Sequence, residues 1–205
     1  MKIFRNGLAI GLAFQLAVGP VFFFIISLAL QRTFFDGLIG VIAVTLVDYL
    51  YIALAIFGIG KLLENKQTKK AFGIISSIIL VVLGVFIIKD IADIHTSITA
   101  TSSNLFLSFT SVFLLTILNP MTIIFFTSLF TAKIIEYNYT KRELLVFGLG
   151  TGFATFLFMG ISVVLFSLIK TSIPVLLIQI LNLIVGCLLI GYGGTRLIKI
   201  QNNPN

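Results

Sequence analysis

Six long apolar blocks, separated by short polar segments, make up most of the 205-residue chain. Each block has about 18 residues or more, enough for a helix rising roughly 1.5 Å per residue to cross about 30 Å of hydrocarbon. The regular alternation of apolar and polar residues that is typical of a membrane β-barrel is absent. The pattern therefore predicts an all-α integral membrane protein with six transmembrane helices, at 7–30, 37–60, 71–88, 105–132, 144–169 and 173–198.

Composition supports the membrane class. Hydrophobic residues make up 59% of the sequence and charged residues 10%, whereas roughly 25% of the residues in a soluble domain are charged. Because the polar segments between the blocks are short, they leave no room for a soluble domain. We therefore expect residues 1–205 to form a single polytopic domain in the cell membrane.

Basic residues are divided unequally between the two sides that six crossings define. One side carries three, Arg32, Lys89 and Lys170. The other carries Lys2, Arg5, Lys61, Lys66, Lys69, Lys70, Lys133, Lys141, Arg142, Arg196 and Lys199. Short segments rich in lysine and arginine stay in the cytoplasm, so both termini are predicted to be cytoplasmic. The net charge of +7 then reflects topology and contact with anionic lipid, and no basic stripe points to nucleic acid.

Two prolines interrupt apolar blocks near their midpoints. Pro20 follows Gly19 in the first block, and Pro120 follows Asn119 in the fourth. A proline inside a helix removes a backbone donor and obstructs the carbonyl four residues earlier, which for Pro120 is the carbonyl of Thr116. We therefore predict that helices one and four are broken, with freed backbone groups that a cargo molecule can use.

The two breaks also predict an internal repeat. Their blocks start three crossings apart, so the two helices traverse the membrane in opposite directions. This is the pattern of a 3+3 inverted repeat, in which broken helices from both halves meet at a midplane cargo site. A single central proline is more often a packing kink, but two at matched depth favour a site. The predicted pathway residues are Gln15, Gly19, Pro20, Thr116, Asn119 and Pro120.

Asp48 lies in the middle of the second block, and the other six acidic residues lie in loops or at block ends. Holding its charge in hydrocarbon costs about 2.5–3.5 kcal/mol, so we expect it to face the bundle interior. No cation lies at comparable depth in the sequence, and protonation is the simplest way for this carboxylate to lose its charge. We predict that Asp48 carries a coupling proton, and that Thr45 and Tyr51 form a polar stripe with it. A purely structural aspartate, held by neighbouring hydroxyls, is the alternative.

Glycine and threonine residues in the fifth block are weaker candidates. Gly150, Thr151 and Thr155 would line the second half's counterpart of the Asp48 region. Cys187 is the single cysteine and His95 the single histidine, so neither a disulfide nor a metal site is predicted. No acid, base and nucleophile occur at matched depth, so we predict no enzyme and no cofactor.

Together, these features resemble the lysine exporter (LysE/RhtB) family of small amino-acid efflux permeases. The shared features are the central Gly-Pro, the aspartate of the second block, the stretch NPMTIIFF at 119–126, the six blocks and the chain length. The resemblance implies a proton-coupled secondary transporter that exports an amino acid or a related small metabolite. The family often has lysine where this chain has Met121, and glycine where this chain has Val47. We therefore expect the central cavity of this chain to be more apolar than that of such family members.

Two other functions remain open at this point. A cation or heavy-metal exporter of the same superfamily would need several carboxylates, cysteines or histidines at depth. A non-transport membrane protein, either an assembly factor or a redox relay, would not need matched midplane prolines. Because six helices are few for a complete transport path, we also expect a homodimer.

Overall fold

The computed structural model describes residues 1–16, 19–57, 103–170 and 175–202, with scattered positions between 74 and 89. Over these residues the chain is helical and forms no strand. The predicted third block, 71–88, lies largely outside the described residues. In chain order the helices are α1 Lys2–Gln15, α2 Pro20–Gln31, α3 Phe34–Ile56, α4 Leu105–Ile117, α5 Pro120–Tyr137, α6 Lys141–Ile169 and α7 Val175–Asn202.

Several of these helices are apolar enough to lie in a membrane. Helices α3 and α6 are each long enough to cross a bilayer alone. Helices α1 and α2 pass the same test only as a pair bent by 80°, and α4 with most of α5 only as a pair bent by 56°, so each pair is either a broken span or a re-entrant loop. The described residues thus supply two to four candidate spans, and the six spans expected from the whole sequence remain a prediction.

Both central prolines lie at the first residue of a helix. Pro20 begins α2 after Gly19, whose backbone is extended (φ −121°, ψ −177°). A missing N–H costs little at this position, because the first turn of a helix has no carbonyl partner for it. The carbonyl of Gly19 accepts the backbone N–H of Phe22 at 3.1 Å, in the first turn of α2. Pro120 begins α5 in the same way, so the first and fourth apolar blocks are each divided into two helices.

The buried apolar side chains form two clusters, which α3 joins. The α2 cluster contains Ile25 and Ile26 with Val44 of α3. The α5 cluster contains Phe126 and Phe130 with Val47 of α3. Asp48 therefore lies on α3 at the junction between the two clusters.

Glycines allow α1 and α6 to approach closely. A Cβ atom built on Gly7 would lie 2.2 Å from the carbonyl oxygen of Phe147, and one built on Gly150 would lie 2.3 Å from the carbonyl oxygen of Phe4. Because both obstacles are backbone atoms, neither helix can accept a larger residue without moving. Close glycine contacts are a common means of helix association in membranes.

Gly150→Ala is expected to lower the stability of the folded protein by about 1–3 kcal/mol, the usual cost of overpacking. Thermal unfolding of the purified protein in detergent measures the change. The matched control is Gly160→Ala on the same helix, where a Cβ would meet nothing within 4 Å. Equal melting temperatures for the two variants would contradict the close approach of α1 and α6.

A polar cluster joins four helix ends away from the centre of the bundle. Asp36, in the first turn of α3, is fully buried and accepts hydrogen bonds from Thr33 Oγ1 (2.6 Å) and Ser108 Oγ (2.7 Å). Arg32 also donates to Ser108 Oγ, at 3.3 Å, and Lys170 Nζ donates to the carbonyl of Arg32 at 2.7 Å. Asp36 was expected at a block end, and its complete burial was not foreseen.

Candidate transport site

A cavity of about 100 Å³ lies between the two helix breaks. Gln15, Gly19 and Pro20 line it from the first break, Thr116 and Asn119 from the second, and Asp48 from α3. The structure thus brings six of the seven residues predicted from the sequence to one place. The seventh, Pro120, begins α5 directly after Asn119.

Asp48 is 4% exposed and is held by a hydrogen-bonded chain from two other helices. Thr155 Oγ1 of α6 donates to Asp48 Oδ2 at 2.7 Å. Gln15 Nε2 of α1 in turn donates to Thr155 Oγ1 at 2.6 Å. Three helices therefore position the carboxylate, and the chain links Gln15 at the first break to Asp48.

The polar neighbours of Asp48 on its own helix bind elsewhere. Thr45 Oγ1 donates to the carbonyl of Val41 at 2.7 Å, and the hydroxyl of Tyr51 donates to the carbonyl of Ile117. All three residues of the predicted polar stripe are buried, but the hydroxyls of Thr45 and Tyr51 donate to backbone carbonyls rather than to Asp48. Tyr51 instead satisfies a carbonyl that the break after α4 leaves without its helical partner.

The carbonyl of Thr116 is also satisfied. It accepts the backbone N–H of Asn119 at 3.0 Å, and the Thr116 hydroxyl donates to the carbonyl of Val112 at 2.8 Å. The expectation that Pro120 leaves the Thr116 carbonyl without a donor is therefore wrong. Backbone groups at the second break are largely paired, so side chains rather than freed carbonyls dominate the polar chemistry of the cavity.

The rest of the lining is mainly apolar. Phe14, Phe22, Val44 and Met159 contribute side chains, with Val21 and Thr122 beside the breaks. Sequence reasoning did not select these residues, although Val44 lies one helical turn before Asp48 and Thr122 lies two residues after Pro120. No lysine, arginine or histidine lines the part of the cavity that the described residues form.

The three candidates from the fifth apolar block, which forms α6, have separate roles. Thr155 is the direct hydrogen-bond partner of Asp48, whereas Gly150 packs against the backbone of α1. Thr151 Oγ1 donates to the carbonyl of Phe147 within its own helix, at 2.9 Å. Among the residues that the structure covers, no three histidine, cysteine, aspartate or glutamate side chains come together as a metal site would require.

Apolar helices broken in mid-block, around a cavity that contains a buried acid, define the class as a helical membrane protein of transporter architecture. The model of the LysE type translocator family matches residues 12–199, so the chain belongs to that family. The resemblance noted from the sequence is thereby confirmed, and membership indicates membrane transport of amino acids or related compounds rather than catalysis. No curated protein and no solved structure matches the chain significantly.

Proposed function

We propose that this protein is a secondary transporter that exports an amino acid or a related small metabolite across the cytoplasmic membrane in exchange for protons. The observation that carries the proposal is the cavity at the two helix breaks, with Asp48 as the carboxylate on its wall. Secondary transporters commonly bind cargo near the bilayer midplane, between discontinuous helices of two repeats. The broken pairs α1–α2 and α4–α5 fit that arrangement as a 3+3 inverted repeat.

Alternating access would use the two helix breaks. The cavity lies between them, so relative movement of the broken pairs α1–α2 and α4–α5 would open it first to one side and then to the other. Asp48, at the junction, would take up a proton from outside and release it inside. Export results if cargo and proton occupy the cavity in opposite phases of this cycle.

The proposed membrane arrangement has six spans with both termini in the cytoplasm. In a Cys187→Ser background, a cysteine at Asn138 should react with an impermeant maleimide only from the cytoplasmic side, because basic residues surround that segment. A cysteine at His95 should react only from outside. Labelling of position 138 from outside would contradict the proposed orientation.

Filling the cavity tests whether it is the transport site. A Cβ on Gly19 would meet nothing within 4 Å, and Gly19 lines the cavity, so Gly19→Val should fold while it occupies cargo space. We expect export of labelled amino acids from cells that make this variant to fall at least about tenfold. Gly160→Val, which also enters open space but away from the cavity, is the control. Unchanged export by Gly19→Val would place the pathway elsewhere.

The proposed transporter is a homodimer in the membrane. Six helices enclose little space for a complete transport path. Crosslinking in native membranes, compared with the mass of the purified protein in detergent, distinguishes a dimer from a monomer.

A further inference from the structure

We infer that the carboxylate of Asp48 binds the ammonium group of the cargo and the coupling proton in turn, so that each excludes the other. The inference rests on the proposed export function and narrows its cargo to small compounds that carry a primary ammonium group. It specifies what is recognised in the cavity and why cargo and proton move in opposite directions.

The charge of the lining favours a cation. Asp48 is the one ionisable acid or base on the described wall of the cavity. The other ionisable side chains near it are the phenols of Tyr49 and Tyr51 on its own helix, and both donate to backbone carbonyls. The packed helices α1, α4 and α5 present the uncharged side chains of Gln15, Thr116 and Thr122 to the cavity, and α6 presents that of Met159. An isolated anion would meet repulsion there without a balancing charge, whereas an ammonium group would be attracted.

The hydrogen bonds of Asp48 leave room for such a group. Thr155 donates to Oδ2, and this bond uses one of about four acceptor positions that an ionised carboxylate offers. An ammonium group has three N–H donors and no acceptor, so it complements a carboxylate oxygen with an open position. The side-chain oxygens of Gln15 and Thr116, which line the same cavity, offer further acceptors.

Competition follows because a proton and an ammonium group neutralise the same carboxylate. When Asp48 is protonated it has lost the charge that attracts the ammonium group, and when the ammonium group is bound protonation is disfavoured. The empty cavity with a charged Asp48 is the least stable state in a low-dielectric surrounding. Exchange of one proton for one ammonium group therefore avoids that state in each half of the cycle.

The apolar part of the lining restricts the cargo further. Beside the polar groups, the walls are the apolar side chains of Phe14, Phe22 and Val44. The cavity thus suits an ammonium group that carries an apolar substituent.

Carbodiimide labelling of Asp48 tests this inference directly. Dicyclohexylcarbodiimide is apolar and reacts with protonated carboxyl groups in apolar surroundings, and mass spectrometry of the Asp48 peptide reports the extent of reaction. The probes are alanine, alanine methyl ester and N-acetylalanine, offered to the purified full-length protein. Asp36 is the internal control, since it is a buried acid of the same helix that does not line the cavity.

We expect alanine and its methyl ester to protect Asp48 from labelling, because both carry an ammonium group, and N-acetylalanine not to protect it. The concentration of ester that gives half protection should rise as the pH is lowered, approaching about tenfold per pH unit. Labelling of Asp36 should not respond to any probe. Equal protection by N-acetylalanine, or no protection by either ammonium compound, would overturn the inference.

Export is measured separately on the same protein, so that the two ideas can fail independently. Export of labelled alanine or N-acetylalanine without selective protection of Asp48 would overturn the ammonium site and leave the transport function standing. Selective protection without export of any probe from cells would support the ammonium site and contradict the transport function.

Discussion

Asp48→Asn is expected to abolish accumulation of cargo driven by a pH gradient, to the level of vesicles without the protein. Asparagine keeps the size of the side chain and can still accept the hydrogen bond from Thr155, but it cannot take up or release a proton. Any downhill flux that remains in the variant should not depend on the pH gradient. Uptake of labelled cargo into inverted membrane vesicles, with an acid interior imposed, measures the effect.

Asp36→Asn is the matched control for this variant. It makes the same chemical change on the same helix, but Asp36 lies outside the cavity and is bound by Thr33 and Ser108. We expect Asp36→Asn to lower the amount of folded protein. Each folded molecule should still accumulate cargo in response to the pH gradient. Uptake by Asp48→Asn that still followed the imposed gradient would remove Asp48 from proton coupling.

Pro20→Ala and Pro120→Ala are expected to lower transport at least about tenfold while the folded protein becomes no less stable. Proline would cost about 3 kcal/mol relative to alanine in the interior of a continuous helix. Alanine removes this cost and restores a backbone donor, so each broken pair can straighten into one helix. Straightening would move Gln15 and Gly19, or Thr116 and Asn119, away from Asp48. The two quantities to measure are export of labelled cargo and the melting temperature in detergent.

Pro174→Ala serves as the control, because it removes a proline that is not at either central break. Transport at the wild-type rate by both Pro20→Ala and Pro120→Ala would show that the prolines are packing kinks. Loss of transport together with loss of folded protein in both would assign them a structural role instead.

The sequence predicts well those features that depend on position along a helix. A proline in an apolar block changes the local backbone whatever surrounds it, and α2 and α5 indeed begin at Pro20 and Pro120. Asp48 is likewise identified by its depth alone, because a lone acid in a long apolar block must face the protein interior. The family could be recognised because both features fall in blocks of the expected number and length.

Features that depend on packing between helices were less accessible. The partner of Asp48 is Thr155, which is 107 residues away in the chain and meets it only because α3 packs on α6. Spacing along α3 instead favoured Thr45 and Tyr51, whose hydroxyls turn to other carbonyls. Hydropathy gives the depth of a residue but not which neighbour its side chain faces.

Charged residues near block ends show the same limitation. Lys133 directly follows the predicted fourth block, yet it lies in α5 and is 7% exposed. Its Nζ lies 4.2 Å from the ring centroid of Tyr137 and 5.5 Å from that of Phe147. Cation–π contact and a long aliphatic stem allow lysine to be buried at such a position, and neither is visible as a hydropathy signal.

Cargo-dependent proton movement tests the central claim, that cargo and a proton exchange through the cavity at Asp48. The measurement uses proteoliposomes that contain a pH-sensitive dye, to which a cargo identified by the export assays is added from outside at equal initial pH. Wild-type protein is predicted to raise the internal pH as cargo enters and protons leave, and Asp48→Asn is predicted to give no change. Entry of labelled cargo through the wild-type protein without a change in internal pH, or the same change with Asp48→Asn, would contradict the claim.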